Sequence, residues 1–266
     1  MRFSPTYAIV LRYFYLLRGS LPRVMPLFLW VAVDIILWGF ITRYLNGVAQ
    51  PGMNFIPVFL GAVLLWDFFS RVMMGVTMVF FEDVWTRNFL NFFATPLTII
   101  EYLTGLVTSS IVTSAVGLVV MIALCGVFGL SFLVYGVMLA PYLLILFAFG
   151  IALGILSSAL VLRLGPSAEW FIWPIPVLIS PFAGVFYPLA TLPAPMRAVS
   201  TILPPSYVFE NMRTILAGGA PSWGGMAAAL GLDVVYVLLA CAVFARTYRH
   251  AVRVGLIARY SAETVS

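Results

Sequence analysis

The sequence predicts an all-helical membrane protein with six transmembrane helices, an N-terminal amphipathic interface helix and further short helices on both sides of the bilayer. Three observations carry this. Hydrophobic residues make up 63% of the 266 and charged residues only 9%, where soluble domains hold roughly a quarter charged. The mean hydropathy is +1.10, and apolar runs near the length of a bilayer crossing recur six times. The basic residues are fourteen arginines with no lysine, gathered at the ends of those runs as membrane topology requires.

Taken in order, Ser4 and Pro5 supply an N-cap and a first helical residue. Tyr7, Val10, Phe14 and Leu17 then recur at helical spacing, with Arg12 and Arg18 off the stripe. Residues 1–24 read as a helix on the inner leaflet; a simple basic anchor fits the same composition. Apolar segments follow at residues 25–43, 55–81, 99–127, 132–162, 169–190 and 225–245. At about 1.5 Å per residue these are candidate spans for a hydrocarbon core of about 30 Å. Ten arginines outside the spans fall on one side, and only Arg43, Arg197 and Arg213 on the other, which places both termini in the cytoplasm. The first apolar run begins after four arginines and carries Asp34, so the N-terminus is expected to stay rather than be cleaved as a signal peptide.

The loop of residues 82–96 opens with Glu82 and Asp83, as a helix N-terminus prefers. Trp85, Phe89, Phe92 and Phe93 give it an apolar face, Arg87 lies among them, and Pro96 closes it. It reads as a short amphipathic helix exposed to the cytoplasm, either a docking element or a surface connector between two spans. The fifth apolar segment contains Pro174, Pro176, Pro181, Pro188, Pro193 and Pro195 with Gly184 among them. One straight helix in lipid does not tolerate so many breaks. Residues 187–220 are too short and too charged for two more spans and are expected to dip into the outer leaflet and return. Residues 246–266 form a basic cytoplasmic tail in which His250 faces anionic lipid.

Ionised groups inside the spans mark a working interior. Asp34 and Arg71 lie at similar depth on spans of opposite direction, and Asp67 is one turn from Arg71, so Arg71 is expected between two carboxylates. That cluster reads either as an ion pair locking two spans or as a polar surface on a translocation route. Asp233 is expected to meet Arg213 or to reach the outer face, and Glu169 to cap its helix or pair with Arg163. Trp30, Trp38 and Trp223 suit interfacial anchors, while Trp66 and the Trp170 to Trp173 group suit a lining for flat or sugar-like molecules. Cys125 and Cys241 form no disulfide framework or zinc spacing, and a single histidine argues against a catalytic metal. The scattered arginines make no nucleic-acid stripe.

Several stretches, in order and on the expected sides, resemble the type-2 permeases of ABC transporters. Gly184-Val-Phe-Tyr-Pro-Leu189, Leu192-Pro193, Pro204-Pro-Ser-Tyr207, Glu210 and Arg213 are similar to that family's fifth helix and re-entrant outer helices, with Tyr187 and Pro188 inside the first stretch. Glu82 leading to Thr95-Pro96-Leu97, then Glu101 and Gly105, resembles its coupling helix, although Trp85-Thr-Arg-Asn88 stands where the family commonly has Gly-Thr-Leu-Glu. The resemblance implies a permease subunit of an exporter of amphipathic, lipid-linked or polysaccharide-type molecules or drugs in a bacterial inner membrane. It implies a second permease copy, as a homodimer, and two nucleotide-binding ATPase subunits that carry ATP and Mg and dock on residues 82–96. The residues support the last point separately, because a phosphate-binding Walker loop requires a lysine. No catalytic residue, metal or nucleic-acid partner is expected in this chain. The alternative expectation is a proton-coupled secondary transporter using Asp34, Asp67 and Asp233.

Overall fold

A computed structural model describes residues 5–48, 54–86 and 97–255, all of whose regular elements are helical. In chain order these are α1 (Pro5–Arg18), α2 (Leu21–Val48), a π turn (Ile56–Leu60) leading into α3 (Gly61–Trp85), and α4 (Ile99–Val127). A 3-10 segment (Phe132–Met138) then opens α5 (Leu139–Leu164). The short helices α6 (Glu169–Ile172), α7 (Ile175–Ala183), α8 (Ala194–Ser200) and α9 (Pro204–Leu216) precede the long α10 (Trp223–Val254).

Among the described residues, five helices are long and apolar enough to cross a membrane: Phe28–Val48 within α2, the Ile56–Trp85 stretch, α4, the Phe132–Leu164 stretch and α10. The expected fifth crossing is different. Its apolar helices end at Ala183, and the stretch Glu169–Ala183 covers only about 22 Å at 1.5 Å per residue. Gly184 ends it in the left-handed region at φ 60°, a conformation that costs a side-chain-bearing residue more than glycine. Pro174 and Pro176 fit because they occupy the start of α7, where no helical N–H is lost. The sequence pattern overestimated this segment because apolar residues continue beyond the last helical turn.

The two central helices are α3 and α5, with 61% of each spanning window buried against 17–28% for the others. Their backbones approach closely because the contact residues are small. A Cβ added at Gly154 would stand 2.7 Å from Val76 Cβ and 2.8 Å from the Met73 carbonyl, and one at Gly150 2.9 Å from Val72 Cβ. Gly150 and Gly154 form a G-x-x-x-G pair on α5, the spacing that lets membrane helices meet through dispersion contacts. The α3–α4 contact uses the same device, with Gly75 facing Ser110, whose hydroxyl donates to the Val72 carbonyl at 2.9 Å. Two buried hydroxyls bond back within their own helices, Thr77 to the Met73 carbonyl and Ser158 to the Gly154 carbonyl, both at 2.9 Å.

Polar groups at the junction of α2 and α3 are closed locally. The Phe55 N–H donates to Asn46 Oδ1 at 2.7 Å and the Ile56 N–H to Asn54 Oδ1 at 3.1 Å, tying the end of α2 to the π turn. Within that turn the Pro57 carbonyl is met by the buried Tyr135 hydroxyl at 2.6 Å. α10 continues to Val254, so Arg246, Arg249, His250 and Arg253 of the expected tail stand on its last turns; residues 256–266 lie outside the described residues.

Gly154→Val is expected to lower the melting temperature of the detergent-purified protein strongly, since overpacking a tight core contact costs about 1–3 kcal/mol. Gly126→Ala, where an added Cβ meets nothing within 4 Å, should leave it unchanged or slightly raised. Equal melting temperatures for the two variants would refute the close α3–α5 contact.

Candidate functional site

The C-terminal end of α3 is fixed by a buried acid. Asp83 has 1% of its side chain exposed, and it forms an ion pair with Arg12 of α1 while accepting the Tyr102 hydroxyl of α4 at 2.7 Å. One carboxylate thus joins three helices. Sequence reading placed Asp83 on an exposed docking helix, but α3 runs on to Trp85 and turns this residue inward. The expected stripe of α1 is also rotated: Ile9 and Tyr13 are its buried residues, while Tyr7 is 51% exposed. Ile9 packs onto Gly105, and burial together with the Glu82 carboxylate pushes the Tyr13 phenol up to about 12. Glu101 caps α4 reciprocally, its carboxylate accepting from the Thr98 N–H at 2.8 Å while the Thr98 hydroxyl accepts from the Glu101 N–H. Of the other expected docking residues, Trp85 is exposed and stacks on Phe81 at 5.1 Å. Arg87, Phe89, Phe92, Phe93 and Pro96 lie outside the described residues.

Asp34, Asp67 and Arg71 do converge, on the wall of one cavity of about 610 Å³ between α1, α2 and α3, closed at one side by Trp173. On α3 the wall is a helical stripe, Asp67, Arg71, Met74, Met78 and Glu82, running about 22 Å from mid-span to the inner end. The expected clamp on Arg71 is not made: no ion pair joins it to Asp34 or Asp67 within 4 Å among the described residues. Arg71 is held by its flanks instead. Its guanidinium stands 5.2 Å over the Phe28 ring, and a Cβ at Gly117 would fall 2.5 Å from its Nε. Asp67 Oδ2 and Arg71 Nε are buried with no hydrogen-bond partner among the described residues. A charge facing hydrocarbon at mid-depth costs about 3 kcal/mol on insertion scales, which favours three such groups sharing a cavity over facing lipid.

The residues after Gly184 form a second constellation. The Glu210 carboxylate of α9 accepts the Leu189 N–H, Arg213 lies 3.4 Å from Glu210, and its Nη1 donates to the Val185 carbonyl at 3.4 Å. Burial lowers the Arg213 guanidinium from its ordinary value and Glu210 opposes that shift. The Tyr187 hydroxyl donates to the Pro181 carbonyl at 2.8 Å and the Tyr207 hydroxyl to the Thr201 carbonyl at 2.7 Å. Pro188 precedes the 3-10 turn at Leu189, Pro193 stands at the N-cap of α8, and Pro204 starts α9. Every residue singled out in this stretch therefore has a place in one folded unit. Trp38, expected as an interfacial anchor, is stacked between Phe186 at 4.7 Å and Phe59 at 6.2 Å.

Asp233 meets neither Arg213 nor the outer surface. It is 2% exposed on α10, and both carboxyl oxygens lack a partner among the described residues. Glu169 does begin its helix, and it accepts the Trp173 indole N–H at 3.1 Å. Asn211 went unnoticed in the sequence, although it joins α5, α9 and the start of α10 by accepting from Tyr142 at 3.2 Å and donating to the Ser222 carbonyl at 3.1 Å. The sequence matches no protein-family model, and comparison with curated proteins gives no match.

Arg12→Ala is expected to destabilise the protein by about 3 kcal/mol, because it strands a buried carboxylate, and Arg12→Ala with Asp83→Asn should recover part of that loss. A double variant no more stable than Arg12→Ala alone, in detergent melts, would show that Arg12 acts through something other than Asp83. Glu210→Gln should cost less, about 1 kcal/mol, since it keeps a carbonyl acceptor for Leu189. Accelerated proteolysis of residues 184–203 in this variant, with the remainder resistant, would register the loosened unit.

Proposed function

We propose that this chain is the membrane permease subunit of an ATP-driven exporter that moves an amphipathic or lipid-linked molecule outward. The observation that carries the reading is the folded unit of residues 184–213, in which Glu210 and Arg213 hold the backbone at Leu189 and Val185. These are the residues on which the resemblance to type-2 permeases rests, and here they act as one piece. The cavity along α3 supports it further, because it connects a charged mid-span level to the helix end from which residues 87–96 continue.

In this reading both termini are cytoplasmic, so Glu169–Ala183 completes the crossing while α8 and α9 lie in the outer leaflet. Residues 86–96 receive a separate nucleotide-binding subunit, which supplies ATP hydrolysis, and two permease copies enclose the route. The Arg12–Asp83–Tyr102 lock would pass a push on that loop to α1, α3 and α4 together, since all three meet at one carboxylate. A second reading, proton-coupled transport, is favoured by Asp233 and by Asp67 Oδ2, buried carboxyl oxygens without partners among the described residues.

The test is purification of the chain from its native membrane in mild detergent. An ATP-hydrolysing subunit is expected to accompany it in fixed ratio and to be lost, or uncoupled from transport, in Phe89→Ala with Phe92→Ala. Transport in vesicles that follows an imposed proton gradient without nucleotide would transfer the assignment to the second reading.

A further inference from the structure

The cavity between α1, α2 and α3 contains charges of both signs whose mutual pairs are not made. Arg71, 9% exposed, lines it, and its buried Nε, packed against Gly117, has no hydrogen-bond partner among the described residues; the buried Asp67 Oδ2 has none either. Asp34, across the cavity on α2, is half-buried and forms no ion pair among the described residues. Most of the remaining wall is apolar, with Met74 and Met78 from α3 and the indoles of Trp30 and Trp173.

We propose that this cavity binds an amphiphile whose headgroup carries an anionic and a cationic centre, the anion on Arg71 and the cation between Asp34 and Asp67. Each single-sign ligand fails on charge. An anion on Arg71 alone would face two carboxyl groups, and a cation on the acids alone would face an unpartnered guanidinium in a low-dielectric wall. A headgroup of both signs satisfies all three side chains at once with charge-assisted hydrogen bonds. Trp30 and Trp173 add aromatic faces suited to a quaternary or primary ammonium. The methionine-lined stripe descending toward Glu82 accommodates a flexible chain, because thioether side chains repack around varied shapes. A volume of about 610 Å³ holds one such molecule. Gly117 belongs to the site as a positioning residue, since its lack of a Cβ is what admits the Arg71 guanidinium between α3 and α4.

This assignment names a substrate class for the exporter reading and rests on it, yet the binding step is measured without any ATPase. The full chain in nanodiscs of phosphatidylglycerol is titrated with dodecylphosphocholine, dodecyl phosphate and dodecyltrimethylammonium, three probes of one chain length, and saturable quenching of tryptophan fluorescence is followed. Dodecylphosphocholine is expected to bind at least about tenfold more tightly than either single-sign probe, as one added charge-assisted contact provides. Arg71→Gln should erase its advantage over dodecyltrimethylammonium, and Asp34→Asn should shrink its advantage over dodecyl phosphate. Gly117→Ala should weaken dodecylphosphocholine while leaving dodecyltrimethylammonium little changed. Equal binding of the three probes, or no saturable component, overturns the site. Should Arg71→Gln fail to fold, the half-buried Asp34→Asn still decides the matter. Absence of binding in a chain that co-purifies with its ATPase would defeat this site and leave the exporter reading standing, and binding without an ATPase would do the reverse.

Discussion

The close backbone approach of α3 to α4 and α5 is the constraint on which the rest of the fold depends. In hydrocarbon, helices gain nothing from burying apolar surface against one another, so they associate only where backbones come near enough for dispersion and short polar contacts to accumulate. Gly75, Gly150 and Gly154 supply that nearness, and Ser110 completes it with a hydroxyl on the Val72 carbonyl. Once α3 is gripped on these two sides, its remaining face is the stripe from Asp67 to Glu82. The cavity is therefore a by-product of the packing: the face of α3 not taken up by α4 and α5 stays open, and α1 and α2 only partly cover it.

At its C-terminal end α3 is immobilised by charge instead of contact. Asp83 lies where the helix leaves the apolar layer, and desolvating it is tolerable because a guanidinium and a phenol converge on the two oxygens. Asp67 and Arg71, sixteen and twelve residues earlier, have no such closure. The same helix thus carries a satisfied acid near the interface and unsatisfied ions at depth, so the contrast follows from partners and not from residue type.

The helical class and four of the long spans within a few residues were legible in the sequence because hydropathy acts locally, and the proline placement foretold short helices after Gly184. The capping pair Thr98 and Glu101 was legible as well, as the T-x-x-E pattern before an apolar run, though only its glutamate was singled out. The limits were equally physical. Apolar character continues past the helix that ends at Ala183, so hydropathy drew the fifth segment to residue 190 although the backbone had already turned at Gly184. The burial of Asp83 depends on Arg12 and Tyr102, at separations of 71 and 19 residues, which no local pattern encodes. The unmade pairs around Arg71 were missed because i, i+4 spacing permits a contact without requiring it. Asn211 lacked any local signal, since each of its partners comes from another element.

The stacking of Trp38 between Phe59 and Phe186 places the outer hairpin and the second helix in one rigid sandwich. Asp34 is one helical turn from Trp38 on the same side of α2. Any displacement of the Gly184 to Leu189 hairpin must either slide aromatic faces past each other or drag that turn of α2 with it. The turn after Gly184 and the acid in the cavity are in this sense mechanically geared, with a single indole as the tooth.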